Sequence, residues 1–148
     1  MESQTFGQPE ELLLMRQTCR DFVDDVIHPF VRGNPEREWL FDPDKRFPLE
    51  LLEAADKVGL RTIGVPEKFG GVMLDPEHEA QTLAIISEEM GRGDSGFADK
   101  LAQNWKISRL LRLTVPDHLQ EKWFPRLVED PSFLLAHALT EPRGASEI

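Results

Sequence analysis

The chain has little cysteine: Cys19 stands alone among 148 residues, so no internal disulfide can close and a reducing compartment is the default expectation. Positive charge is also scarce. Seventeen Lys and Arg face 27 Asp and Glu, leaving a formal net charge of −10 and a pI of about 4.8. Such a balance repels phosphate backbones and anionic headgroups, which argues against nucleic acid and anionic membrane as partners. Long hydrophobic runs are missing too. Leu12 to Met15 is among the longest and falls far short of a membrane span. Met1 to Gly7 shows neither a basic n-region nor an apolar h-region, so no secretory signal is read there and a cytoplasmic protein is expected. His28, His78, His118 and His137 share no metal-ligand spacing with one another or with Cys19, so no metal site is expected.

What is present is the composition of a globular domain, 40% hydrophobic and 30% charged, at a length that supports one ordinary core. Pro9-Glu10-Glu11 opens a helix, with proline where its missing amide costs nothing and carboxylates at the positive helix end. Leu12, Met15, Cys19, Phe22, Val23 and Val26 then keep helical spacing, and Pro29 is expected to end the segment. Cys19 on that stripe reads as core filling. After a charged connection without periodicity, Pro48 opens a second helix with Leu49, Leu52, Ala55 and Val58 inward and Gly59 as its cap. Gly64 to Gly71 reads as a rigid loop whose glycine pair supplies positive φ.

Asp75-Pro76-Glu77 starts a third helix with Ala80, Leu83, Ala84, Ile86 and Met90 inward, stopping at Gly91. A fourth begins at Asp94 or Ser95 and runs to about Leu113 through Phe97, Leu101, Trp105, Leu110 and Leu111. Pro116 begins a fifth, with Leu119, Trp123, Phe124 and Leu127, and Pro125 is expected to kink or split it. An all-α array results.

The continuous apolar run from Phe133 to Leu139 breaks this pattern. It reads as a buried strand or a short buried helix segment. Thr140-Glu141-Pro142 ends it, and Gly144, Ala145 and Ser146 follow with uncovered amides and a hydroxyl, groups that grip an anionic or amide-rich ligand at a strand end. A strand without a partner cannot satisfy its own ladder, so the chain looks cut at the start of a second, β-rich domain.

Other motifs are weaker. Gly91-Arg92-Gly93-Asp94-Ser95-Gly96 matches a dinucleotide fingerprint in letters but follows a helix rather than a strand, so a helix stop followed by a cap explains it better. Glu88 and Glu89 sit about 100° apart on a helix, so at most one faces inward. No Ser-His-Asp or Cys-His set stands out.

In order, Phe47-Pro48-x-Glu50-Leu51-Leu52, Gly59-Leu60, Val65-Pro66-Glu67-Lys68-Phe69-Gly70-Gly71, Ser87-Glu88-Glu89-Met90-Gly91-Arg92-Gly93-Asp94 and Leu139-Thr140-Glu141-Pro142 resemble the acyl-CoA dehydrogenase family. The series covers the chain from about residue 10 to its end. The resemblance implies an N-terminal all-helical domain over 1–131 and, over 132–148, the first strand and turn of a truncated middle β-domain. It implies FAD as cofactor and an acyl-CoA substrate, dehydrogenated by loss of an α-proton and transfer of the β-hydride to the flavin. It implies that His137, Leu139 and Thr140 line the flavin ring, and that Ser146 contacts FAD or the CoA moiety. It also implies that Ala98, Asp99 and Ala102 line the acyl pocket, where two alanines suggest room and Asp99 is unexpected for a plain fatty chain.

Electron-transfer flavoprotein or another acceptor, and a homo-oligomer, usually a tetramer, belong to the same expectation. The usual Pro-Gly-Ala-Gly-Ser-Asp turn is replaced by Pro142-Arg143-Gly144-Ala145-Ser146-Glu147, which puts a cation where the family has glycine. The catalytic base is expected in a C-terminal domain that these residues do not include, so no residue here is assigned to it, and the 148 residues alone are expected neither to hold FAD tightly nor to oxidise acyl-CoA. A flavin oxidase or monooxygenase on the same scaffold, and a non-catalytic helical interaction module, are the competing readings.

Overall fold

The computed structural model describes residues 9–36 and 47–138. Its elements are helical: α1 (Glu10–Phe22), a π-helical turn (Val23–Ile27), α2 (His28–Gly33), α3 (Leu49–Lys57), a 3-10 turn (Glu67–Phe69), α4 (Glu79–Gly93), α5 (Ser95–Thr114) and α6 (Asp117–Glu129). Among the described residues there is no strand, only an isolated parallel bridge between Ile63 and Val72. α1 packs chiefly on α4, and α4 on α5, with the π turn seated against α4.

The main core joins Cys19, Phe22, Val23 and Ile27 to Leu51, Leu52, Ala55, Ile86, Met90, Phe97, Leu101 and Trp105. Cys19 is fully buried there, as its place on the apolar stripe predicts. Burial in apolar surroundings, helped by the nearby Glu89 charge and opposed by Arg16, pushes its thiol up to about 12. A smaller core of Val65, Phe124 and Leu127 lies under α6.

Several boundaries differ from the sequence expectation, each for a physical reason. Pro29 does not end the first helix. The His28 amide donates to the Val23 carbonyl, five residues back, and this wider turn gives the proline ring room that a regular turn denies it. Pro125 does not split α6, which is continuous through it. An interior proline costs about 3 kcal/mol, but Phe124 and Leu127 beside it are fully buried, each worth about 1.5–3 kcal/mol.

On α3 the inward residues are Leu51, Leu52 and Ala55, whereas Leu49 and Val58 stand about two-fifths exposed. The expected glycine cap is present: Gly59 has φ +74°, its amide reaches the Asp56 carbonyl and Leu60's reaches that of Ala55, the paired bonds of a Schellman ending.

α4 starts later than expected, because Asp75 turns the chain first by accepting from the Glu77 amide at 3.0 Å. Its buried face is Thr82, Ile85, Ile86, Glu89 and Met90, with Ala80 and Ala84 outside. It also passes Gly91 and ends at Gly93, where an added Cβ would come within 2.9 Å of Val23. Gly93 therefore serves close packing on the π turn, in keeping with a helix stop rather than a nucleotide loop. Asp94 then caps α5, accepting from the Phe97 amide at 2.8 Å.

Of the glycine pair, only Gly70 takes positive φ, at +87°. Gly71 is needed for another reason: a Cβ there would overlap Val65.

The run from Phe133 makes no strand over its described part, to Ala138. Among the described residues no second strand lies beside it, so its groups find other partners. Phe133's amide goes to the Asp130 carbonyl and Leu135's to a side chain of α5.

Candidate functional site

α5 is the scaffold of the candidate site, because it carries the expected acyl-pocket residues and also holds the terminal segment. Ala102 lines a cleft of about 360 Å³ between α4 and α5, with Ile63, Leu83 and Trp105 as its apolar floor. Gly64 closes one end. Its φ of +85° favours glycine, and a Cβ added there would already touch the Trp105 carbonyl at 3.4 Å. Trp105 is held by its indole N–H, which donates to the Leu60 carbonyl at 2.5 Å. Ala98 is half-buried against the main core, and Asp99 is exposed, accepting from Gln103 at 3.4 Å. Of the three, only Ala102 is part of the cleft wall.

The cleft rim is charged. Glu79 accepts from Arg109 and Arg112, each at 3.4 Å, and Lys106 stands exposed beside them.

On the other side of α5, Asn104 is fully buried and its Oδ1 accepts from the Leu135 amide at 2.7 Å. Leu134 packs on the main core, Phe133 and Leu135 on the smaller one. The Phe133 ring lies parallel to Trp123, 6.3 Å between centroids, with the Arg126 guanidinium 4.5 Å over it. After these anchors Ala136, His137 and Ala138 are exposed. His137 does not line the cleft. Leu139, Thr140 and Ser146, the other expected cofactor contacts, lie outside the described residues.

Two buried charges and Asn104 escaped the sequence reading as functional or structural centres. Glu89 is almost fully buried and receives Arg16 at 2.7 Å and Arg20 at 3.0 Å from α1, with Arg92 at 3.6 Å. Burial pushes its carboxyl up, but hydrogen bonds from Arg20 and Arg16 together outweigh that and hold it below the usual range. Its neighbour Glu88 points outward, as the helical divergence predicts. Arg61, fully buried, donates to both Asp56 carboxylate oxygens and to the Leu127 and Val128 carbonyls. A signal for Asn104 was available: it is an amide on the stripe that carries Phe97, Leu101 and Trp105. Among the described residues no group of three or more potential ligands is placed to hold a metal, and no helix is long and apolar enough to cross a membrane.

Residues 9–130 match the N-terminal domain of acyl-CoA dehydrogenases. The chain belongs to the acyl-CoA dehydrogenase family. It is 28% identical over 142 residues to a (2S)-methylsuccinyl-CoA dehydrogenase of Cereibacter sphaeroides, covering 96% of this chain and 24% of that protein. It is 27% identical over 144 residues to the mitochondrial short-chain specific acyl-CoA dehydrogenase of Bos taurus, covering 97% and 32%. It is also 27% identical over 139 residues to a cyclohex-1-ene-1-carbonyl-CoA dehydrogenase of Syntrophus aciditrophicus, covering 94% and 31%. The chain thus spans between about a quarter and a third of the length of these relatives.

Proposed function

We propose that the chain works as the N-terminal helical domain of an FAD-dependent acyl-CoA dehydrogenase, the sequence outside it supplying the rest of the catalytic centre. The observation that carries this reading is the family match over residues 9–130, on a fold whose fifth helix offers both an apolar cleft and an anchor for the terminal segment. The names of the relatives, all dehydrogenases of CoA thioesters, support an acyl-CoA substrate.

The residues present fit a flavin ring in one respect. Asn104 pins Leu135, and the stretch after it, Ala136 to Ala138, is uncovered by the helical body, as a segment laid against a planar ring would be. FAD when bound supplies the acceptor for the substrate's β-hydride. In this proposal His137 and Leu139 lie along the ring, the Thr140 hydroxyl donates to it, and Ser146 meets the dinucleotide or CoA. A fixed donor beside the ring steadies negative charge as it develops. Ala102 flanks the acyl group from the cleft wall, with Ala98 and Asp99 a turn away on the same helix. An electron-transfer flavoprotein or similar acceptor, a homo-oligomeric assembly and a cytoplasmic location belong to the same reading.

The test is Thr140→Val in the complete enzyme, which keeps shape and β-branching and removes only the hydroxyl. Loss of one positioned donor costs roughly 100- to 1000-fold, and the low end is expected for the rate of flavin reduction, with a lowered flavin potential. A turn cap would cost about 1 kcal/mol of stability instead. A reduced melting temperature with unchanged potential and unchanged reductive rate would overturn the flavin role of Thr140. A complete enzyme purified without flavin absorbance would overturn the function itself.

A further inference from the structure

The cleft between α4 and α5 combines two chemistries that a plain hydrocarbon chain does not need together. Its floor is apolar: Ile63, Leu83, Ala102 and Trp105. Its rim has three cations, Lys106 and Arg109 on the wall and Arg112 behind, against a single carboxylate, Glu79. Glu79 is shared between the two arginines at 3.4 Å each. Lys106 makes no ion pair among the described residues. The next acid on that side of α5, Asp99, is turned to Gln103 and is not part of the wall. This excess of positive charge occurs in a chain whose net charge is −10, so it runs against the surface at large.

At about 360 Å³ the cleft falls at the small end of ligand sites, which run from about 300 to 1,000 Å³. A short chain fits it better than a long one.

The geometry points to a short acyl group that ends in a carboxylate: its methylenes lie over Leu83, Ala102 and Trp105, and its terminal carboxylate meets the Lys106 ammonium, with Arg109 beside it. This deepens the acyl-CoA dehydrogenase reading and rests on it, since it takes the cleft as the distal end of the acyl site. Lys106 would act as a specificity-determining residue, touching the substrate far from the reacting carbons and taking no part in proton or hydride transfer.

The test compares glutaryl-CoA with pentanoyl-CoA, which have equally long chains and differ in a terminal carboxylate or methyl. Binding of each to the complete enzyme is followed by NMR at the Leu83 and Ala102 methyls and the Lys106 amide. Glutaryl-CoA is expected to bind about fivefold more tightly, the upper range for one exposed ion pair, and to lose that advantage at raised ionic strength. Lys106→Met keeps the aliphatic stem and removes the charge, so it should bring glutaryl-CoA down to the pentanoyl-CoA level and leave pentanoyl-CoA unchanged. Lys106 is exposed, so the variant does not threaten folding. Equal affinity for the two thioesters, absence of binding by either, shifts that map away from the cleft, or a Lys106→Met variant that still prefers glutaryl-CoA would each overturn the proposal. The functional reading fails by a different sign, a complete enzyme without flavin, and that result leaves the binding comparison intact.

Discussion

Glu89 and Arg61 are both almost wholly buried, yet the molecule satisfies them in different ways. Glu89 lies at the seam of α1 and α4, and its partners are whole charges: Arg16, Arg20 and Arg92. Arg61 lies under α6, where one carboxylate, Asp56, takes two of its donors and two carbonyls in the last turn of the helix, Leu127 and Val128, take two more. Those carbonyls form the negative end of α6 and have no partners within it. The first arrangement ties two long helices by ion pairs that reach solvent; Arg20 and Arg92 are nearly half exposed. The second uses a planar fork, sealed from water, to fasten a short loop to a helix end. A buried charge is tolerable in either way, but losing its partners costs more where no water can replace them.

Removing the fork should give the largest effect. Arg61→Leu leaves Asp56 and two helix carbonyls without their donors, and a loss of about 3–5 kcal/mol is expected in urea unfolding. Arg61→Lys should recover only a minor part, because an ammonium cannot span both carboxylate oxygens and the carbonyls. A lysine variant as stable as the parent would erase the contrast between the two buried charges.

Glu89→Gln should cost less, about 2 kcal/mol, the range for hydrogen bonds to charged groups. Its pH dependence sharpens the point. A carboxyl held below its usual range in the fold contributes stability that is fully present above the unfolded value of about 4.3 and is lost as pH falls through the lower folded value. The gap between parent and Glu89→Gln should therefore be widest at neutral pH and shrink in acid. A gap that grows on acidification would show that the arginines do not hold Glu89 ionised.

Asn104→Ala should cost about 1–2 kcal/mol by leaving the Leu135 amide without its acceptor. Amide exchange should quicken at Leu135 and its neighbours, with α1 and α4 unchanged. Equal protection of Leu135 in both proteins would mean that apolar packing alone holds the segment.

The mildest probe uses Cys19, next to Glu89. With its thiol pushed up to about 12, alkylation of the folded chain should be negligible at pH values where the denatured chain, with a thiol near 8.5, reacts readily. Rapid labelling of the native protein near pH 9 would show that the α1–α4 seam opens.

The local signals were legible because they act through nearest neighbours. Gly59 as a cap, Asp94 as an N-cap, Cys19 on an apolar stripe and the outward Glu88 can each be read from residues within one or two turns. Most of the misplacements share another origin. The phase of α3, the two extra residues of α4 and the passage of helix through Pro125 depend on what lies across the interface, whereas the helix is carried past Pro29 by the wider turn just before it. The strand expected after Phe133 needed a neighbour for its ladder, and over its described part the chain finds Asp130 and Asn104 instead.

Sequence alone determined the helical class, the positions of most starts and stops, and the ordered motifs that place the chain among acyl-CoA dehydrogenases, because periodicity and capping are properties of consecutive residues. Only the tertiary structure decided which polar groups are buried and how they are met. Arg61 is 66 residues from Leu127, Arg16 is 73 from Glu89, and Asn104 is 31 from Leu135. At such separations no local pattern records the pairing; the packing of apolar faces brings these groups together, and the cost of leaving a charge dry and unpaired then selects the partners.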